Sequence, residues 1–216
     1  MSKIIRKLRP RDYWRIGEHE SWFTDLAAEG LHLTEMGLIF AKFTKGEPKK
    51  TRYRIEIVKN KEITAEQKGL YVESGWDYVT RYGNFNVFSS PAELKAPEIH
   101  TDPVEQSYTL QELDKKFKTN AIISVVGTLI SLALVSSIWF IDATPVLDLV
   151  EGYIISQIVL IIALLYGSYE TLQAAKSIRI LRNTLLEGKP INHHAPWQKG
   201  RGISLIITVM FFGFLF

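Results

Sequence analysis

Three groups of side chains are of types that could do chemistry. His193 and His194 stand together between Pro190 and Pro196, His100 lies two residues before Asp102, and Glu18, Glu20 and Glu29 fall within one short stretch. Two adjacent imidazoles could help hold a metal. Helical metal pairs are spaced i, i+4, however, and no Asp or Glu follows His194. The Pro-flanked pair therefore reads as a solvated loop, and His100 with Asp102 as a linker feature. His32 alternates on a strand and reads as a surface or interface residue. The three glutamates are expected on the outer, solvated face of an amphipathic helix. Ser, His and Asp all occur, but without the nucleophile-elbow pattern. There is no GxxxxGK[ST] phosphate loop and no GxGxxG. Gly30 and Gly75 end helices and do not open them, so they build no anion site. The absence of cysteine excludes disulfides, thiol catalysis and Cys-based zinc sites. The expectation is a non-enzymatic protein with no catalytic, cofactor-binding or metal residues.

The elements that carry these residues divide the 216-residue chain in two. Residues 1–118 hold 20 of the 26 Lys and Arg and 18 of the 23 Asp and Glu, the balance of an ordinary soluble domain with net charge +2. The rest is apolar. Ala121 to Ile141 runs 21 residues without a charge, and Gly152 to Tyr169 runs 18. At about 1.5 Å per residue the first reaches the thickness of a bilayer core and the second barely does. Trp139, Tyr153, Tyr166 and Tyr169 fall near the span ends, where amphipathic rings settle. A third uncharged run, Ile203 to Phe216, has 14 residues, too few for a full crossing, and reads as a partial or truncated span. The expected order is a basic segment (1–16), an α+β domain (17–100) and a linker (101–118). Spans at 119–141 and 149–169, a basic segment (170–202) and the partial span (203–216) follow.

Basic residues set the expected orientation. Lys115, Lys116 and Lys118 precede the first span, the loop from Asp142 to Glu151 has none, and Lys176, Arg179, Arg182, Lys189, Lys199 and Arg201 follow the second. This puts the N-terminal domain in the cytoplasm of a multi-pass cell-membrane protein. Lys176, Arg179 and Arg182, opposite Leu172, Ile178, Leu181 and Leu185, suggest a segment lying along the lipid surface. Within the spans, Ser124, Gly127, Thr128 and Ser131 share one face, and Gly152, Ser156, Ala163 and Gly167 another. Such faces let helices pack closely in lipid and offer a route to homo-oligomers. Gln157 is the strongly polar side chain inside a span; no acidic or basic residue lies in mid-membrane, which disfavours a coupled transporter.

The soluble half reads as an αββ unit used twice. His19, Trp22, Phe23 and Leu26 recur at helical spacing between Glu18 and Glu29, Gly30 follows, and strands are expected at 31–36, 38–43 and 51–58. Thr64 with Gln67 forms a capping box for a second helix, which Gly75 ends before strands at 76–80 and 85–89. GLHLTEMG (30–37) and GWDYVTRYG (75–83) mark the two copies. The expected fold is α+β, a single antiparallel sheet with both helices on one face, followed by an α-helical transmembrane region of two to three spans.

The stretches ESWFTDLAAEGLHL (20–33), FTKGEPKKTRYRIE (43–56), GWDYV (75–79), GNFNVF (83–88) and EIHTD (98–102) resemble a bacterial family with a domain of unknown function. The likeness covers residues 17–118. It implies membrane helices after the domain, a Gram-positive source, genes often beside PadR-type regulators and, in many members, a longer C-terminus. It implies no activity and no catalytic residues. The expectation that follows is a regulatory or sensory membrane protein whose domain binds a protein partner. Some of its aromatic residues, Trp22, Trp76 and Tyr78 foremost, would form the contact patch. Gly127, Ser131, Gly152 and Ser156 would pack the helices. The rival is a transport or immunity component acting through its membrane helices. Nucleic acid is not expected as a partner, because the basic N-terminal stretch carries no recognition motif and the domain's net charge is small.

Overall fold

The computed structural model describes residues 3–10, 14–37, 39–57, 63–141 and 153–198. The expected third span, the loop 142–151 and Gly152 lie outside them. The chain forms two compact units, one of Met1–Leu110 with Asn183–Phe216, the other of Gln111–Arg182.

In the first unit β1 (Ile4–Leu8) leads into α1 (Ile16–Ala28), β2 (Leu31–Met36), β3 (Phe40–Lys45) and β4 (Thr51–Ile57). Then come α2 (Ala65–Glu73), β5 (Asp77–Tyr82), β6 (Phe85–Pro91), a 3-10 turn (Ala92–Leu94) and α3 (Pro103–Thr109). The segment expected to be merely basic thus supplies a strand. β1 pairs antiparallel with β3, Ile5 opposite Phe43, while Arg6 and Lys7 decorate an outer strand where charge discourages further pairing. The linker expected at 101–118 is also helical. Asp102 caps α3 by accepting from the Val104 N–H at 2.8 Å, and Pro103 occupies the first turn.

The single sheet expected from sequence is two three-stranded antiparallel ladders, β1-β3-β2 and β4-β6-β5. The outer edge of β4 shows why they are not joined there. The Ile55 N–H donates to Glu20 Oε1 on α1 at 2.7 Å, so a side chain occupies a position that another strand would need. The halves share their order of elements, a strand, a helix and two strands. Each has a bulge at the same place, between Leu33 and Glu35 and between Tyr78 and Thr80. Gly30 (φ 83°) and Gly75 (φ 84°) end their helices in the left-handed region.

The two helices differ in burial. α1 lies in the interior and buries Ile16, His19, Trp22, Phe23, Leu26 and Ala27. The Trp22 ring sits 5.3 Å from Phe23 and 5.4 Å from Phe43, and Phe23 sits 5.6 Å from Tyr53. α2 has the expected capping box, with Gln67 N–H donating to Thr64 Oγ1 and Thr64 N–H to Gln67 Oε1, yet none of its residues is fully buried. It rests on the domain through Tyr71, whose ring lies 4.3 Å from Phe88. With Glu66, Gln67 and Lys68 in its first turns, it has little apolar surface to bury.

Gly30 offers a local test. A Cβ there would stand 2.6 Å from the Gly46 carbonyl oxygen, on a backbone that L residues rarely adopt. Gly30→Ala is expected to destabilise the domain by more than the roughly 1–2 kcal/mol of left-handed strain alone, read as a drop in the denaturation midpoint. Gly83→Ala (φ 58°, open space around it) is expected to show the strain without the clash.

In the second unit α4 (Gln111–Ile141) and α5 (Tyr153–Leu186, its last turn in the first unit) pack antiparallel. Asp114 lies 3.5 Å from both Arg179 and Arg182 at one end, and Thr128 Oγ1 lies 2.7 Å from Ser168 Oγ further along. Both helices are long and apolar enough to cross a membrane. Their apolar side chains point outward: Ile123 is 64% exposed, Leu134 63% and Ile155 73%. A soluble core helix would bury them. α5 continues without a break through Lys176, Arg179 and Arg182, so these do not form the separate surface-lying segment expected. Ile178 and Leu185 from its apolar stripe are buried against protein.

Candidate functional site

Glu20 organises the site. It lies on α1 beside His19, Trp22 and Phe23, in a helix turn surrounded by ring-bearing residues. The sequence puts it on a solvated face; the structure leaves it 1% exposed. An isolated buried carboxylate is costly, and this one is doubly engaged. Oε1 accepts from the Ile55 N–H and Oε2 lies 2.5 Å from His193 Nδ1. His193 is half of the pair expected to be a solvated loop; its neighbour His194 is exposed.

Beside this contact is a cavity of about 320 Å³ along the outer edge of β4. Its polar wall is Glu20, Arg54, Glu56, Glu98, His100 and His193, and Ile55, Ile99, Pro103 and Ile191 give it an apolar side. Each carboxylate is held. Arg54 grips Glu98 with Nε at 2.6 Å and Nη2 at 2.7 Å, a bidentate pair that pulls the Glu98 carboxyl below its ordinary range. Glu56 accepts from the Tyr71 hydroxyl and lies 3.7 Å from His100 Nε2. Burial first, and then the Glu56 carboxylate, push the Tyr71 phenol upward, so it stays a donor. Trp76 Nε1 donates to the Pro97 carbonyl at 2.8 Å, and Arg52 donates to that of Ala96 at 2.6 Å while stacking on the Trp76 ring. Together they fix the linker that presents Glu98 and His100. Among the described residues no group of three or more His, Asp or Glu is arranged to hold a metal ion.

Three of the stretches that carry the sequence resemblance converge here: 20–33 through Glu20, 43–56 through Arg54 and Glu56, and 98–102 through Glu98 and His100. The fourth wall comes from residues 190–193, nearly a hundred positions later in the chain. Residues 15–122 match a family described as "Protein of unknown function (DUF2812)". The chain belongs to the DUF2812 family. No curated protein and no solved structure matches it. The DUF2812 match takes in α1 through the first turns of α4, hence three walls of the cavity; β1 and residues 190–193 lie outside it.

The residues expected to contact a partner are placed differently from one another. Trp22 (0% exposed) and Trp76 (1%) are core residues and present no surface, which corrects both assignments. Each anchors its half of the domain. Tyr78 is partly buried, edge-on to Phe88, with Lys68 Nζ 4.3 Å above its ring. Of the residues expected to pack the membrane helices, Gly127 has open space where a Cβ would lie, and so does Gly167, so neither is where α4 and α5 approach each other. Ser131 is partly buried and Ser156 exposed. The contact runs instead through Ser124, Thr128 and Ser168: the Ser168 hydroxyl donates to the Ser124 carbonyl at 3.2 Å and that of Thr128 to the Leu164 carbonyl at 3.3 Å. The small-residue pattern found the right face of α4 but not its partner on α5, because spacing fixes a face and not the rotation of the opposing helix.

Proposed function

We propose that this DUF2812 chain is a membrane-anchored regulatory protein, non-enzymatic, whose cytoplasmic domain engages a protein partner. One observation carries the reading. The cavity built from the family-like stretches is walled on its remaining side by the segment that directly follows the second membrane-type helix. Any displacement of that helix end therefore reaches the site through a short piece of chain. The carboxylates around the cavity are all engaged by His, Arg, Tyr or backbone donors. That suits a mechanical joint better than a reaction site, which needs a poised and available group. The basic residues at the α4 entry and the α5 exit support a cytoplasmic domain. The matched βαββ order and bulge positions support an origin by duplication, in which the first helix became the buried joint and the second stayed at the surface. On α2, Leu70 (61% exposed) and Val72 (55%) flank Tyr71 and give the domain an apolar outer surface for contact.

Two measurements test this in cells. The first is sidedness, with Ser74→Cys on the exposed end of α2 and Thr144→Cys in the sequence between the two apolar runs. A membrane-impermeant maleimide is expected to label Thr144→Cys in intact cells and Ser74→Cys only after permeabilisation. Labelling of Ser74→Cys in intact cells would overturn the cytoplasmic assignment. The second places a photo-crosslinking residue at Leu70. One discrete adduct with a host protein, lost when Val72 is changed to Asp, is expected. Its absence in membranes from cells expressing the chain at native level counts against a partner.

A further inference from the structure

We propose that residues 190–197 are a releasable strap, held by α1 as an intramolecular ligand, and that lifting it opens the cavity beside β4. This deepens the regulatory reading above and rests on it for its purpose, though not for its geometry. The seat is specific. Gly17 stands in the first turn of α1 with no positive φ, so no backbone requirement explains a residue that weakens helices. Space explains it: a Cβ at Gly17 would run into the Asn192 carbonyl. The strap backbone lies directly on the helix. Ile191 is buried next to it, His193 reaches Glu20, and Trp197 Nε1 donates to Asp25 Oδ2 at 2.7 Å with its ring tilted 6.5 Å from that of Trp22. Gly17 and Glu20 share a face of α1, and Asp25 lies further along the helix and round to its side.

The attachment is also weak enough to break. From Lys189 to Trp197 the chain has no helix or strand, and Asn192, His194 and Pro196 are exposed. A segment with so few buried groups opens locally well before the domain unfolds. Its launch, by contrast, is stiff. The Gly188 N–H donates to the Leu185 carbonyl at 2.9 Å and that of Lys189 to the Thr184 carbonyl at 3.1 Å, with Gly188 at φ 77°. These two bonds are a Schellman closure of α5, and Pro190 restricts the next step. A shift of the α5 end is therefore passed to Ile191 and His193 with little slack. Once they lift, Glu20 faces open solvent beside Glu98 and His100.

The chain has no native cysteine, so Ile191→Cys reports the strap and Val87→Cys, at the centre of β6, reports the fold. Both are made in the full chain in lipid nanodiscs and reacted with a water-soluble maleimide. Gly17→Leu and His193→Ala are each expected to speed labelling of Ile191→Cys about tenfold, equivalent to about 1.4 kcal/mol of seating. Val87→Cys should stay as protected as before. His193→Ala decides where Gly17→Leu disturbs α1, since the residue changed lies in the strap and Val87→Cys reads any wider effect of leaving Glu20 Oε2 without it. An unchanged Ile191→Cys rate in His193→Ala overturns the proposal. So does a parallel rise at Val87→Cys in that variant, which would make the strap part of the fold. Labelling involves no partner, so a failure here leaves the partner reading standing, and a failed crosslink at Leu70 leaves the strap.

Discussion

Trp22→Ala is expected to destabilise the first unit by about 3–5 kcal/mol, a large part of the stability of any small domain. The ring is fully buried, in contact with Phe23 and Phe43, with the Trp197 ring 6.5 Å away. Its removal leaves a cavity that three other rings cannot all move to fill. Trp76→Ala is expected to act similarly in the second half, where the indole also donates to Pro97 and carries Arg52 and Arg54 on its face. Urea melts of the full chain in detergent, followed by circular dichroism, measure both. Tyr78→Ala is the contrast, with an effect well below either. Had the indoles been a contact patch, both tryptophan variants would melt as the parent does and lose a partner. A parent-like midpoint for Trp22→Ala would therefore overturn the core assignment. In cells the expected signature is a low steady-state level, not an intact protein with lost function.

Acidification is expected to weaken the same unit steeply below about pH 6.5, because of His19. Burial, with the nearby Arg9 charge adding to it, lowers the His19 imidazole from its ordinary 6.5 to about 3. Nδ1 lies 3.1 Å from the Arg15 carbonyl, to which the neutral ring donates. Between these values the unfolded chain holds a proton on His19 that the folded chain does not. Stability is thus full above pH 6.5 and falls as the pH drops toward 3, by about 1.4 kcal/mol per pH unit while the difference persists. His19→Gln removes the titration and is expected to flatten this slope while lowering stability at pH 7.5. Urea midpoints at pH 7.5, 6.0 and 5.0 compare the two. Equal slopes would show that His19 is not held neutral.

The sequence by itself determined the division into a charged half and an apolar half, because charge density and uninterrupted apolar length are one-dimensional properties. It also determined α1, the Thr64 capping box, the left-handed glycines at 30 and 75, and the strands from β2 onward, to within a few residues. Each depends on neighbours no more than four positions apart or on period-two alternation. The inward set His19, Trp22, Phe23 and Leu26 was legible for the same reason. The tertiary structure alone decided that β1 joins the domain, since a basic strand shows only when β3 is there to pair with it. It decided that the strands form two ladders, because which edges pair depends on contacts between segments far apart in the chain. It decided that aromatic residues which could have faced a partner fill the core instead. Above all, it decided the site. Glu20 looks solvated because acidic side chains usually are, as Glu29 at the end of the same helix is, and His193 looks like loop because its own neighbours say nothing. They meet across 173 positions, and a contact of that separation leaves no periodicity to read. Gly17 was the available signal: a glycine early in a good helix has no local reason, and its reason is the strap laid across it.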